Sequence, residues 1–198
     1  DVRTGGSIIS SQKVGPSVAE DITYGAIWSV ILAIIAIFIY ILVRFRNVAF
    51  SIGSIVALVS DVLLILGAYA LLWGIMPFSM EIDQTFIGAI LTAIGYSIND
   101  KVVVFDRIRE ELGLHPTQSR FDLFNRSVNQ TLNRTINTSV STFIVLAVIF
   151  IIGIVGGGAG SIISFSFAMM LGVVFGTFSS IFVAAPTAFL FLDKKAKK

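Results

Sequence analysis

The chain has 198 residues, 56% of them hydrophobic and 13% charged, with a mean hydropathy of +0.92. Soluble domains carry roughly 25% charged residues, so this composition excludes an ordinary soluble domain and indicates a membrane protein. A net charge of +2 gives no footing for nucleic acid, and no cysteine with a single histidine, His115, leaves no disulfide framework and no zinc centre.

Residues 1–21 are polar, broken by Gly5, Gly6, Gly15 and Pro16. They lack a basic stretch leading into an apolar core, so they do not read as a signal peptide. Ser7 to Val14 alternates weakly, as a single strand would, and the segment reads as the end of a larger outer domain.

Five membrane spans are expected next, because a helix needs about 20 apolar residues to cross a bilayer. The first runs over about 22–43 and ends at Arg44, Arg46 and Asn47. The second covers about 48–73, interrupted by Asp61, and the third about 84–105. A charged connection, 106–130, follows, in which Ser119 to Val128 reads as an amphipathic helix lying at the membrane surface. The fourth span is expected over about 131–154 and the fifth over about 161–192, separated by Gly156-Gly157-Gly158-Ala159-Gly160. A tilt or a kink at Pro186 would absorb the extra length of the fifth. Gly172, Gly176 and Ser180 share one of its faces, a pattern for close helix packing rather than gating. Residues 193–198 form a basic tail. The fold class is thus an all-α membrane protein with a five-transmembrane-helix bundle.

Orientation follows from the basic residues. Arg44, Arg46, Arg107, Arg109, Arg120, Arg126 and the Lys-rich tail fall on one side, Arg3 and Lys13 on the other. The first side is cytoplasmic, which puts the chain's beginning on the outer side; the family resemblance given below implies that these are the cytoplasmic and periplasmic sides of a bacterial cytoplasmic membrane.

Four charges remain within spans: Asp61, Asp100, Lys101 and Arg134. A charge there is costly and points to function. At ~1.5 Å per residue, Asp100 lies about 9 Å and Asp61 about 21 Å from the cytoplasmic edge. Arg134 lies at most about 12 Å in, so Asp100 and Arg134 are expected to meet. The functional reading is a proton relay. Asp100 is the carrier, Arg134 a switching charge that never deprotonates, and Asp61 the outer acceptor. Asn99, Asn133 and Asn137 supply amides at similar depth. The bland alternative is an Asp100–Arg134 ion pair that only fastens two helices; for Asp61 both readings stand. Lys101 is rotated about 100° from Asp100 and is expected to snorkel to the cytoplasmic interface. Glu81 and Asp83 read as solvated loop charges, and Asp106 to Glu111 as a solvated helix end.

The string Gly95 to Glu111, GYSINDKVVVFDRIREE, resembles the signature of the SecF family of the SecD/SecF protein-export factor. Val14-Gly15-Pro16 and the block Asn129 to Ser139, NQTLNRTINTS, resemble further blocks of that family in the same order. The resemblance implies half of a pseudo-twofold twelve-helix bundle of the resistance-nodulation-division type, with no cofactor and no bond-making enzyme activity. It implies proton-motive force used to assist late protein translocation. The partners it implies are SecD (or a SecD half of the same polypeptide), the SecYEG channel, YidC, YajC, the translocating precursor and membrane lipids. By motif, Asp100 and Arg134 match positions that the family uses for proton transport. The chain departs from the pattern in two places: Ser60-Asp61 stands where many members have His-Asp, and Lys101 where a small polar residue is common. Rival readings are an exporter of lipids or drugs from the same superfamily and a purely structural membrane subunit. Na⁺ remains an alternative coupling ion. An ATP-driven machine is disfavoured by the lack of a G-x-x-x-x-G-K-[ST] loop.

Overall fold

In the computed structural model, residues 16–78 and 80–196 are described; the expected strand at Ser7 to Val14 lies outside them. The elements are α1 (Pro16–Phe45), α2 (Val48–Leu72), α3 (Gln84–Leu114), α4 (Arg120–Val155), α5 (Gly160–Ser179), a π-helical turn (Ser180–Ala184) and α6 (Ala185–Ala196). Among the described residues five stretches are long and apolar enough to cross a membrane, the last being Gly160–Leu192, which runs through α5, the π turn and into α6.

The connections are short and each has a local cause. Only Arg46 and Asn47 join α1 to α2. Arg46 takes a left-handed φ of 52°, and the Asn47 side chain accepts the Ala49 N–H at 3.0 Å, capping α2. Asp83 caps α3 by accepting the Phe86 N–H at 2.8 Å, so it is not the free loop charge that the sequence implied. Replacing Asp83 with Ala should cost ~1 kcal/mol, read as a lower thermal unfolding midpoint. At the end of α4 the chain reverses through Gly157, whose φ is +66°, and the Gly158 N–H reaches back to the Gly153 carbonyl at 2.8 Å. Only a residue without Cβ adopts that φ readily.

One expectation needs correction. Ser119 to Val128 is not a separate surface helix. It is the start of α4, and Leu123 and Phe124 are buried in the bundle, because a 36-residue helix carries their apolar face inward. As its reading as a helix end implied, the charged stretch after 105 continues α3, which runs to Leu114. In the last span the α geometry is interrupted by a π turn at Ser180–Ala184, just upstream of Pro186, which sits in the first turn of α6. A proline there removes the N–H that would bond four residues back, and a wider turn just before it accommodates the loss.

The core falls into two apolar clusters. One gathers Leu58, Ile65, Tyr69, Phe86, Ile90 and Met169; the other gathers Ile41, Phe45, Phe50, Phe105, Ile108 and Ala188. In the second, Phe105 packs against Phe50 and Phe45 with ring centroids 5.0 and 6.0 Å apart. Helix α5 packs closely on α3 because Gly172 meets Ala93, and Gly176 meets Ser97. A Cβ on Gly176 would stand 2.6 Å from the Ser97 hydroxyl. The shared small-residue face thus serves close packing, as its spacing implied.

Candidate functional site

Between the two apolar clusters α3 carries Ser97, Asp100 and Lys101, all buried, and polar side chains of α2, α4 and α5 meet them there. Lys101 is wholly buried. Its ammonium donates to Asp61 Oδ2 at 3.0 Å, to Ser179 Oγ at 3.1 Å and to Ser97 Oγ. Ser97 in turn donates to the same Asp61 oxygen at 2.8 Å. Asp61 is only 3% exposed, so this is an ion pair fully withdrawn from solvent.

That geometry overturns the snorkelling expected of Lys101. Side chains on a helix lean toward its N-terminus. On α3 that direction leads from Lys101 back toward Ser97, one turn earlier, and away from the charged end of the helix. It also corrects the depths. Counting from the nearest charges put Asp61 and Asp100 at different levels. The ion pair instead sets Asp61 level with Lys101, the residue next to Asp100.

Asp100 faces the other way, toward α4 and α5. Its nearest hydroxyl is Ser139 Oγ, 3.5 Å from Oδ2, and that hydroxyl lies 2.5 Å from Thr177 Oγ1. Thr177 donates its own proton to the Val173 carbonyl at 2.7 Å. Asp100 is 3% exposed and forms no ion pair among the described residues. The expected meeting with Arg134 is therefore corrected: the Arg134 side chain is exposed, along the flank of α4. Asn99, Asn133 and Asn137 are exposed as well. Arg134 lines a groove of about 450 Å³ between α3 and α4, together with Val102, Val103, Asp106 and Gln130. Asn99 lies one turn before Val102 and Val103, and Asn137 one turn after Arg134, on the same helices as the groove's lining. Ser60, which stands where the resemblance implies His, donates to the Ala57 carbonyl of its own helix at 3.1 Å.

The charged end of α3 is not uniformly solvated. Glu111 is 1% exposed. It accepts from Arg107 Nη2 at 2.7 Å and lies 3.2 Å from His115 Nδ1. A proton on Nδ1 makes that last contact a hydrogen bond, and Arg126 Nε stands 3.8 Å from the same Glu111 oxygen. Asp106 bridges to Arg44 at 3.3 Å, which ties α3 to the end of α1.

The sequence singled out Asp61, Asp100 and Arg134 but missed the part played by Lys101, Ser97 and Ser179. One signal was present: Ser97 is four residues before Lys101, on the face toward which a lysine on this helix leans.

Residues 2–194 match the family described as "Protein export membrane protein SecD/SecF, C-terminal". The "Protein translocase subunit SecF" of Rhodothermus marinus is 50% identical over 180 residues, covering 90% of this chain and 56% of the relative. That of Rhodobacter capsulatus is 42% identical over 193 residues, covering 96% and 54%. The chain thus spans about half the length of the curated relatives it matches. The crystal structure of "SecDF, a translocon-associated membrane protein" from Thermus thermophilus superposes with a TM-score of 0.76 at 35% identity, over 91% of this chain and 23% of that one.

Proposed function

Since this chain belongs to the SecD/SecF C-terminal family of protein export membrane proteins, we propose that it is the membrane half of a SecF-type translocase subunit, in which proton flow through Asp100 assists protein export. The observation that carries the reading is a carboxylate buried in a membrane bundle with no counter-ion at bonding distance, beside a chain of two hydroxyls. A charge used only as a fastener would be paired. A carboxylate that must take up and release protons is better served by hydroxyls, which both donate and accept.

The hydroxyl chain has a direction. With Thr177 donating to the Val173 carbonyl, the Ser139 proton has two acceptors in reach, Asp100 Oδ2 at 3.5 Å and Thr177 Oγ1 at 2.5 Å, and giving it to Thr177 leaves a lone pair toward Asp100. That arrangement suits a protonated Asp100, which donates to Ser139. When Asp100 ionises, Ser139 turns to donate to it, and Thr177 must give up Val173. Loss of one proton at Asp100 thereby changes a backbone contact inside α5, which couples protonation to helix geometry. Arg134 on the open flank is the fixed positive charge that favours ionisation when it approaches. Asp61 is the second carboxylate of the relay, reached through Lys101.

Four polar residues, Asn99, Asn133, Arg134 and Asn137, are exposed on helices otherwise fit for lipid. Polar and charged groups in membrane helices normally face a bundle interior or a water-filled cavity. A second, SecD-type half would cover them and complete a twelve-helix bundle, and the similarity to SecDF supports that partner. YidC, YajC and the SecYEG channel, the cytoplasmic side for the basic residues and the domain limits 1–21, 22–192 and 193–198 belong to the same reading.

The test replaces Asp100 by Asn in the assembled complex and follows ion current and export of a secreted precursor together. Both are expected to fall to background with assembly intact, while Asp100→Glu keeps part of each. Survival of both activities in Asp100→Asn would refute the carrier role.

A further inference from the structure

The Lys101 ammonium is surrounded as a bound metal ion would be. Three oxygens from three helices converge on it: Asp61 Oδ2 from α2, Ser97 Oγ from α3 and Ser179 Oγ from α5. The two hydroxyls have turned their protons away. Ser97 donates to Asp61 Oδ2 at 2.8 Å and Ser179 donates to the Gly176 carbonyl at 3.2 Å. Both therefore offer lone pairs to the centre, and the carboxylate supplies one negative charge. Asp61 Oδ1 is buried and takes no hydrogen bond among the described residues, a fourth oxygen without a partner. Hydroxyls and a carboxylate are the ligands that hard cations take. All three ammonium protons find acceptors, so the site and its occupant match in number as well as in charge.

We propose that Lys101 is the tethered occupant of a monovalent-cation site formed by Asp61, Ser97 and Ser179, and that by filling it permanently it keeps alkali-metal ions out of the polar layer and reserves the layer for protons. The second half of that statement rests on the proton-coupled reading above; the first half stands on the geometry alone. The site belongs to this chain's own residues, because without the lysine the same oxygens enclose a buried carboxylate with no cation. Ammonium and K⁺ are of similar size, so the walls as built suit K⁺, and Na⁺ would draw them in.

The experiment truncates the tether in the full complex, as Lys101→Ala, and measures thermal unfolding in equimolar NaCl, KCl and choline chloride. The parent protein is expected to unfold at the same temperature in all three. The variant is expected to gain several degrees in KCl or NaCl over choline, and adding Asp61→Asn should erase that gain. The variant's ion current, where it persists, should acquire a dependence on the same alkali ion. Equal unfolding temperatures for the variant in the three salts would overturn the proposal. So would a salt effect that survives Asp61→Asn, or an alkali-specific stabilisation of the parent that Asp61→Asn removes. A variant that fails to assemble in all three salts overturns it too, because a vacated cation site must accept a replacement. The unfolding readout does not depend on whether Asp100→Asn stops the current, so failure of the site and failure of proton coupling are told apart.

Discussion

Replacing Asp61 with Asn should destabilise the bundle by ~3–5 kcal/mol, the usual cost of removing one partner of a buried ion pair. The amide could still accept one hydrogen bond from Lys101. It would not balance the charge of an ammonium with no access to solvent. Ser97, which donates to the same carboxylate oxygen, would lose strength in its bond as well. The double replacement Asp61→Leu with Lys101→Met removes both charges at similar volume and should be less costly than either single change. Unfolding of the four proteins in detergent, analysed as a double-mutant cycle, measures the coupling directly. Coupling near zero would mean that the pair is not ionised in the folded state.

Gly172→Ala should cost ~1–3 kcal/mol although it adds a single methyl group. A Cβ at that position runs into the Ala93 Cβ on α3, and backbone on both sides prevents an easy escape. Ala93→Gly alone should be mildly destabilising, since it loosens the same crossing and lowers helix propensity. Combined, the two should recover most of the loss, with a favourable coupling that identifies the contact. Gly176→Ala should act differently. Its new methyl pushes on the Ser97 hydroxyl, which also holds Lys101, so its damage extends from packing into the ion network.

Much of the fold was legible because its signals are local. Runs of apolar residues announce spans and the glycines at 156–158 announce a reversal, whereas Asn47, read as a span end, and Asp83, read as a loop charge, proved to be helix caps. The partners of the buried charges were less legible, for a geometric reason. Depth along a helix was counted from the nearest charge, and on α3 the charges of Asp106, Arg107 and Glu111 are themselves part of the continuing helix. Glu111 is buried and Arg134 is exposed, the reverse of what their positions in the sequence imply. Which helix faces which carboxylate depends on rotation about each axis, and that is set by contacts such as Gly176 against Ser97, far apart in the chain. Lys101 shows the residual gain: the lean of its side chain was deducible, its acceptor on α2 was not.

The π turn at Ser180–Ala184 gives the last span a property that a uniform α-helix lacks. A π turn stores one residue beyond what α geometry needs. Handing that surplus along by one position turns the residue it passes by ~100° while the helices on both sides keep their place. Ser179, a ligand of Lys101, sits at one lip of this joint, and Ala184, whose carbonyl lies close to Gly53 of α2, at the other. Passing the surplus one position toward the start of the span would turn Ser179 alone and withdraw its oxygen from the lysine, while Ala184 and its contact with α2 stay in place.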